Sequence, residues 1–281
     1  MPEIASPQRI VSLQPSVTVT LRDLGLLNLL AACTKYCLDV CPELLDTGTI
    51  IVEDSWSAKA EQIISARPDL VIASVPYRME SLAEILKAGA PCLCLAPHSL
   101  ADIYKDILHI ARIAGAEAAG QTLVKRMQTE IEAVRSTSSA SRSTKSRPLV
   151  YCEEWGKPLI LSQGWVAELV EAAGGKFFGE AGKNVTEQEV VAADPEVIIA
   201  AWCGAGNRVP LEKLAARSGW GQTNAVRNGR VYCINDEFLN TPASTLIDGL
   251  KALAAAINPG TYNPVGLRQI TAITHAPVRI K

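Results

Sequence analysis

The residues with the most reactive side chains in this 281-residue chain are eight cysteines: 33, 37, 41, 92, 94, 152, 203 and 233. Cys33, Cys37 and Cys41 recur at every fourth position. On one helix face, three such thiols would hold a soft metal ion or a cluster. Pro42 and the polar content of residues 34–42 read as a loop instead, and the spacing is not a zinc pattern. No metal is therefore expected, and Cys37 or Cys41 is expected to line a binding cleft. A redox or metal protein built on the three thiols stays as a rival reading. Cys92 and Cys94 alternate in a short apolar run, so both face one side of a strand, where core packing is the default. Other cysteines sit inside apolar runs as small hydrophobes, a usage that leans towards a reducing compartment. His98, His109 and His275 are too scattered for a metal triad. His98 follows a strand end and is either an ordinary loop histidine or a ligand to a cobalt or iron centre. No nucleophile–base pair, phosphate loop or paired catalytic carboxylates occur. The chain is expected to be neither an enzyme nor the holder of a catalytic cofactor.

Bulk properties bound the rest. The length fits one large or two small domains, and an apolar fraction of 48% supports real cores. A net charge of −2 leaves no footprint for nucleic acid. No apolar run reaches the length needed to span a bilayer. The start, MPEIASPQRIVSL, lacks a basic segment followed by an apolar one. The expected location is periplasmic or on the membrane exterior if a leader was removed, and cytoplasmic if the chain is complete as given.

The elements that would position a site alternate between strand and helix. Residues 9–13 (RIVSL), 70–73, 92–96, 149–152, 194–200 and 230–234 read as buried strands. Helices are expected over 17–24, 58–66, 101–113, 165–173, 187–192, 211–216 and 243–257, with Ser16 or Thr18 capping the first. Residues 153–158 and 202–208 read as loops. RPDLVIA (67–73) and DPEVIIA (194–200) hold corresponding places, each after a short helix with acidic residues. Twice-repeated alternation predicts two α/β lobes with parallel-type central sheets. Between them lies residues 116–135, whose Leu123, Val124, Met127, Ile131 and Val134 recur at steps of three and four. It reads as a single long helix joining the lobes, or as a surface helix within one domain. A polar run, 136–146, follows. The expected division is 1–100, a connecting region 101–146, a second lobe 147–259 and a tail 260–281.

Taken in order, RIVSL-x-P-S (9–16), TKYC-x-D-x-x-P-E (34–43), Glu61 before RPDLVI, DPEVII, Gly219-Trp220 and RNGRVY (227–232) resemble one known family. It is the substrate-binding proteins of ABC importers for vitamin B12, haem and iron chelates, over residues 9 to about 258. The cobalamin-binding branch looks closest, through the Tyr36 loop and the Ser16 turn. The resemblance implies a monomer of two lobes joined by a rigid helix, with cobalamin or a related corrinoid held between them for delivery to a membrane permease. It implies an acidic residue on each lobe pairing with permease arginines. Glu61 matches in the first lobe, but the second position falls on Gln188. A neutral amide cannot make the charge-assisted bidentate bond, so Glu187 or Glu189 would have to substitute. Tyr36, Trp56 and Trp155 match or neighbour ligand-contacting aromatic positions, while two others fall on Ser74 and Gly182. Ser16, Trp202, Asp236 and Phe238 follow strands and complete the expected cleft, against plain packing and turn roles for each. Trp165 and Trp220 are expected in the core. The other readings are an intracellular corrinoid or metallocofactor carrier uncoupled from a transporter, and a haem or siderophore binder.

Overall fold

A computed structural model describes residues 6–140, 146–263 and 266–270. His275, part of the polar run and most of the tail lie outside them. The chain divides into two units, Met1–Thr129 with Thr241–Thr245, and Glu130–Asn240 with Leu246–Lys281.

The first unit is built on strands whose apolar runs lack polar interruption. These are β1 (Ile10–Ser12), β2 (Leu30–Thr34), β3 (Ile50–Val52), β4 (Leu70–Ser74) and β5 (Cys92–Leu95). They pair side by side in the order β3-β2-β1-β4-β5, and every pairing is parallel. All five residues of β4 are buried, as a central strand covered on both faces requires. Val11, Leu13, Ala32, Val52, Ile63, Val71 and Ile85 form one core beneath it.

The second unit holds β6 (Leu149–Gly156), β7 (Leu159–Leu161), β8 (Lys176–Phe177), β9 (Asn184–Val185), β10 (Val197–Ala200), β11 (Val231–Ile234) and β12 (Leu267–Gln269). The path is β12-β11-β10-β6-β7-β9, with β8 also on β6. β6, β10 and β11 run parallel, as expected, but β7, β9 and β12 pair antiparallel, so this sheet is mixed. Tyr151, Leu161, Ile198, Leu211, Trp220 and Val231 anchor its core.

Four local readings need correction. Residues 153–158 are not a loop: β6 runs on to Gly156 and turns back as β7, with Gly156 opposite Leu159. Neither Ser16 nor Thr18 caps the first helix, because Pro15 occupies its first turn and Gln14 is the N-cap. Ser16 is instead buried within the helix, and Thr18 bonds Ser12 at 2.8 Å. Residues 34–42 are not wholly loop, since a short helix spans Cys37–Val40. The long helix spans Glu117–Ala140, five residues past the expected end. There the hydroxyls of Thr137 and Ser139 bond carbonyls one turn back, at 2.9 and 2.8 Å, which lets polar residues continue the helix. Its apolar stripe, Leu123, Val124, Met127, Ile131 and Val134, is buried as expected.

The unit boundary falls inside this helix, between Thr129 and Glu130. Each half is tied to its own unit: Arg126 pairs with Asp23 at 3.8 Å, and Glu130 with Lys251 at 2.7 Å. Tyr262 donates to the Val134 carbonyl at 3.2 Å.

Candidate functional site

In the first unit every strand points the same way, so the segments that follow them share one edge of the sheet. Ser16 lies just past β1, Tyr36 past β2, Trp56 past β3, Arg78 past β4 and His98 past β5. The strand order reverses between β1 and β4, and ligands of such sheets bind outside the carboxyl ends at that reversal. Tyr36 is 41% exposed and Trp56 48%, an unusual state for large aromatic rings. Each has a cation over its face: Lys35 Nζ is 4.9 Å from the Tyr36 centroid, and the Arg78 guanidinium 5.4 Å from that of Trp56. Asp54 fixes the Trp56 turn by accepting from the backbone N–H groups of Trp56 and Ser57, each at 3.0 Å. Ser16 is buried, and its carbonyl accepts from Thr20. Ser74 is buried as well.

In the second unit the parallel strands β6, β10 and β11 again bring their carboxyl ends together. Trp155 is 46% exposed near the end of β6, with its indole N–H bonded to the Lys157 carbonyl at 2.9 Å. Trp202 follows β10, while Asp236 and Phe238 follow β11. Asp236 accepts from the backbone N–H groups of Gly204 and Gly206, each at 2.7 Å, and so ties down the loop after β10. Phe238 packs its ring on Gly266, where a Cβ would come within 2.5 Å of it. Those two residues are engaged within the protein, as Ser16 is. Tyr36, Trp56 and Trp155 are the exposed aromatic rings among the expected cleft residues.

A model of the family described as periplasmic binding protein matches residues 10–238. The chain belongs to the periplasmic binding protein family. An uncharacterized ABC transporter substrate-binding lipoprotein of Bacillus subtilis is 25% identical over 266 residues, 91% of this chain and 82% of the relative. A cobalamin-binding protein of Halobacterium salinarum is 23% identical over 266 residues, 92% of this chain and 71% of the relative. Among solved structures, a periplasmic haem-binding protein from Pseudomonas aeruginosa has the same fold, with a TM-score of 0.81 and 20% identity. That likeness covers 94% of this chain and 98% of the other. The relatives are substrate-binding proteins, not enzymes, and the fold is the two-lobe α/β arrangement of periplasmic binding proteins.

For a periplasmic binding protein, the second unit holds a cluster that sequence reasoning missed. Glu153 is fully buried in β6, and its carboxylate accepts from four donors. Arg217 reaches it twice, at 2.5 and 2.9 Å, Tyr151 Oη at 2.5 Å and Trp202 Nε1 at 2.8 Å. Trp202 is therefore anchored by its indole N–H. Gly156 makes room for it, since a Cβ there would stand 2.7 Å from the ring. Burial, and then the Glu153 charge, push the Tyr151 phenol far above its ordinary range. The only sequence signal was the alternation of Tyr151, Glu153 and Trp155 along one strand. Beside the cluster, burial raises the Glu154 carboxyl, against bonds from Gln163 at 2.8 Å and from Cys203. Asn240 donates to the Ala201 carbonyl and to Cys203 Sγ, and its buried Oδ1 has no partner among the described residues.

The remaining site residues are placed as follows. Cys33, Cys37 and Cys41 lie on β2, on a short helix and beyond it, so they share no helix face. All three are fully buried, which also removes Cys37 and Cys41 from any cleft lining. Thr34 bonds Cys37 at 3.3 Å and Arg22 reaches Cys41 at 3.8 Å. Among the described residues, no group of three or more His, Cys, Asp or Glu is gathered for a metal ion. None of the described helices is long and apolar enough to cross a membrane. Glu61 is exposed in the first turn of helix Ala60–Ser65, whose Ala60 N–H is held by Glu84 at 3.1 Å. Glu189 closes a capping box with Thr186 at the start of helix Glu187–Ala193, and those bonds hold its carboxyl below the ordinary range. Glu187 and Gln188 stand beside it in the first turn.

Proposed function

We propose that this chain is the solute-binding protein of an ABC importer, working outside the cytoplasm, and that its ligand is cobalamin or a related corrinoid. The observation that carries the reading is the set of exposed aromatic rings, Tyr36, Trp56 and Trp155, at the carboxyl ends of the parallel strands in each unit. A flat macrocycle offers such rings a large apolar face while its edge groups stay hydrated. The cobalamin-binding relative supports this ligand class. Tyr36, Trp56 and Trp155 make the contacts, and Trp202 supplies an anchored wall. Asp236 holds the loop that carries Trp202, while Ser16 and Phe238 are engaged within their own units. Glu61 and Glu187 are the carboxylates for permease arginines, because Glu189 is committed to its own helix start.

One observation favours a second ligand. Lys35 and Arg78, lying over Tyr36 and Trp56, would pair with the carboxylates of haem or of a ferric chelate. Calorimetry with cyanocobalamin, haemin and a ferric siderophore separates the two. Binding of cyanocobalamin that weakens in Tyr36→Ala and Trp155→Ala supports the corrinoid. Binding of haemin alone, weakened in Lys35→Ala, moves the reading to haem. No heat with any of the three ends both.

A further inference from the structure

β5 is the last strand of its sheet, and its register with β4 sets Cys92 beside Val71 and Cys94 beside Ala73. Both cysteines therefore stand on one face of an edge strand. Their sulfurs approach to 3.4 Å. Cys94 is exposed and Cys92 half-buried, so an ion in water can reach the pair. Cys92 packs against the core of the unit, as do Tyr77, Ala88 and Ala90. Tyr77 is pinned by hydrogen bonds from its hydroxyl to the Ala73 and Leu95 carbonyls, at 3.1 and 2.6 Å. The arrangement is thus two convergent thiols, one rooted in the core and the other open to water.

We propose that Cys92 and Cys94 are a two-thiolate chelate for a soft d10 ion of the cuprous class. A disulfide fits poorly. Residues two apart in a strand have Cα atoms about 6.6 Å apart. That lies at the upper end of the range a disulfide spans, with Cβ atoms well beyond its usual separation of about 4 Å. An interposed ion removes the difficulty, because two metal–sulfur bonds of about 2.3 Å bridge sulfurs up to roughly 4.6 Å apart. Such an ion would widen the observed 3.4 Å separation by about 1 Å. Metals needing four ligands are disfavoured, since no third His, Cys, Asp or Glu joins the pair among the described residues. Soft thiolates select a monovalent copper-like ion that is satisfied by two. Binding releases the two thiol protons and leaves no redox change.

The test uses the whole reduced chain under nitrogen, with cuprous ion supplied as its acetonitrile complex against a chromophoric competitor. The expected result is uptake of about one equivalent with a near-ultraviolet sulfur-to-copper band. Cys92→Ser and Cys94→Ser should each weaken uptake by at least about tenfold, and Cys203→Ser should leave it unchanged. Cys94 is exposed, so Cys94→Ser keeps the test valid if Cys92→Ser does not fold. Uptake equal in wild type and Cys94→Ser, uptake lost in Cys203→Ser, or no uptake at all, each overturns the proposal.

Discussion

Glu153 is a buried charge that survives because its partners use nearly all of its acceptor capacity. Removing one partner is far worse than never having had the pair, since the remaining charge is left buried and uncompensated. Arg217→Met is therefore expected to destabilise the protein by about 3–5 kcal/mol, read as a drop in the urea midpoint. Adding Glu153→Gln to that variant should recover a large part, because a neutral amide tolerates the site. The exposed rings behave oppositely. Trp56→Ala and Trp155→Ala remove no core contact of note, and each should weaken ligand binding by about 1–2 kcal/mol, roughly tenfold, without moving the melting temperature. Trp202→Ala should lower stability as well as affinity, because its indole satisfies Glu153.

Helix Leu100–Ile113 shows how an element's charges act in opposite directions. Ser99 caps it and exchanges hydrogen bonds with Asp102, which holds that carboxyl down to about 2. Asp106 on the same helix is pushed up to about 6, chiefly by burial and also by Asp102, with His109 and Lys105 opposing. A folded-state value above the ordinary one means the native state holds the proton more tightly. The stability that Asp106 contributes is then complete at low pH and is lost as pH rises through about 6. Asp106→Asn keeps the neutral shape at every pH. Against wild type it should gain about 1–2 kcal/mol at pH 8, after allowance for solvent screening, and nothing near pH 3.5. Parallel denaturant titrations at the two pH values check this. The helix pattern was plain in the sequence, because Ile103, Ile107 and Ile110 mark its buried face. The strands β4 and β10 were equally legible, since burial on both faces writes itself as an unbroken apolar run. The hairpin after Cys152 was not. Its Glu153 and Glu154 read as solvent-exposed loop residues, and the partner that makes burial of Glu153 tolerable lies 64 positions away. The two α/β lobes were visible in the repeated strand–helix order, and the matched segments do share a backbone feature. Arg67 and Asp194, each just before a proline, both take a left-handed conformation, with φ of 48° and 49°. Asp tolerates it better than Arg, so Arg67→Asn should add about 0.5–1 kcal/mol in the same titration.

Over the whole molecule, each unit has its own sheet and its own core, one around Val71 and Ile85, the other around Ile198 and Trp220. Cavities opened in those cores act first on the unit that holds them. Ile72→Ala is expected to destabilise the first unit and Ile198→Ala the second, each by about 2–5 kcal/mol, and the transition that moves to lower temperature labels each unit in calorimetry. The labels then give a test of how the ligand is held. A molecule that binds only the native state stabilises whatever it contacts by RT ln(1 + [L]/Kd). Ligand that contacts Tyr36 and Trp56 must raise the transition of the first unit, and ligand that contacts Trp155 must raise that of the second. At a free concentration about a thousandfold above Kd the stabilisation is about 4 kcal/mol, well beyond the scatter of such scans. A shift confined to one transition would mean that a single unit carries the site, and the aromatic residues of the other would have to be withdrawn from it.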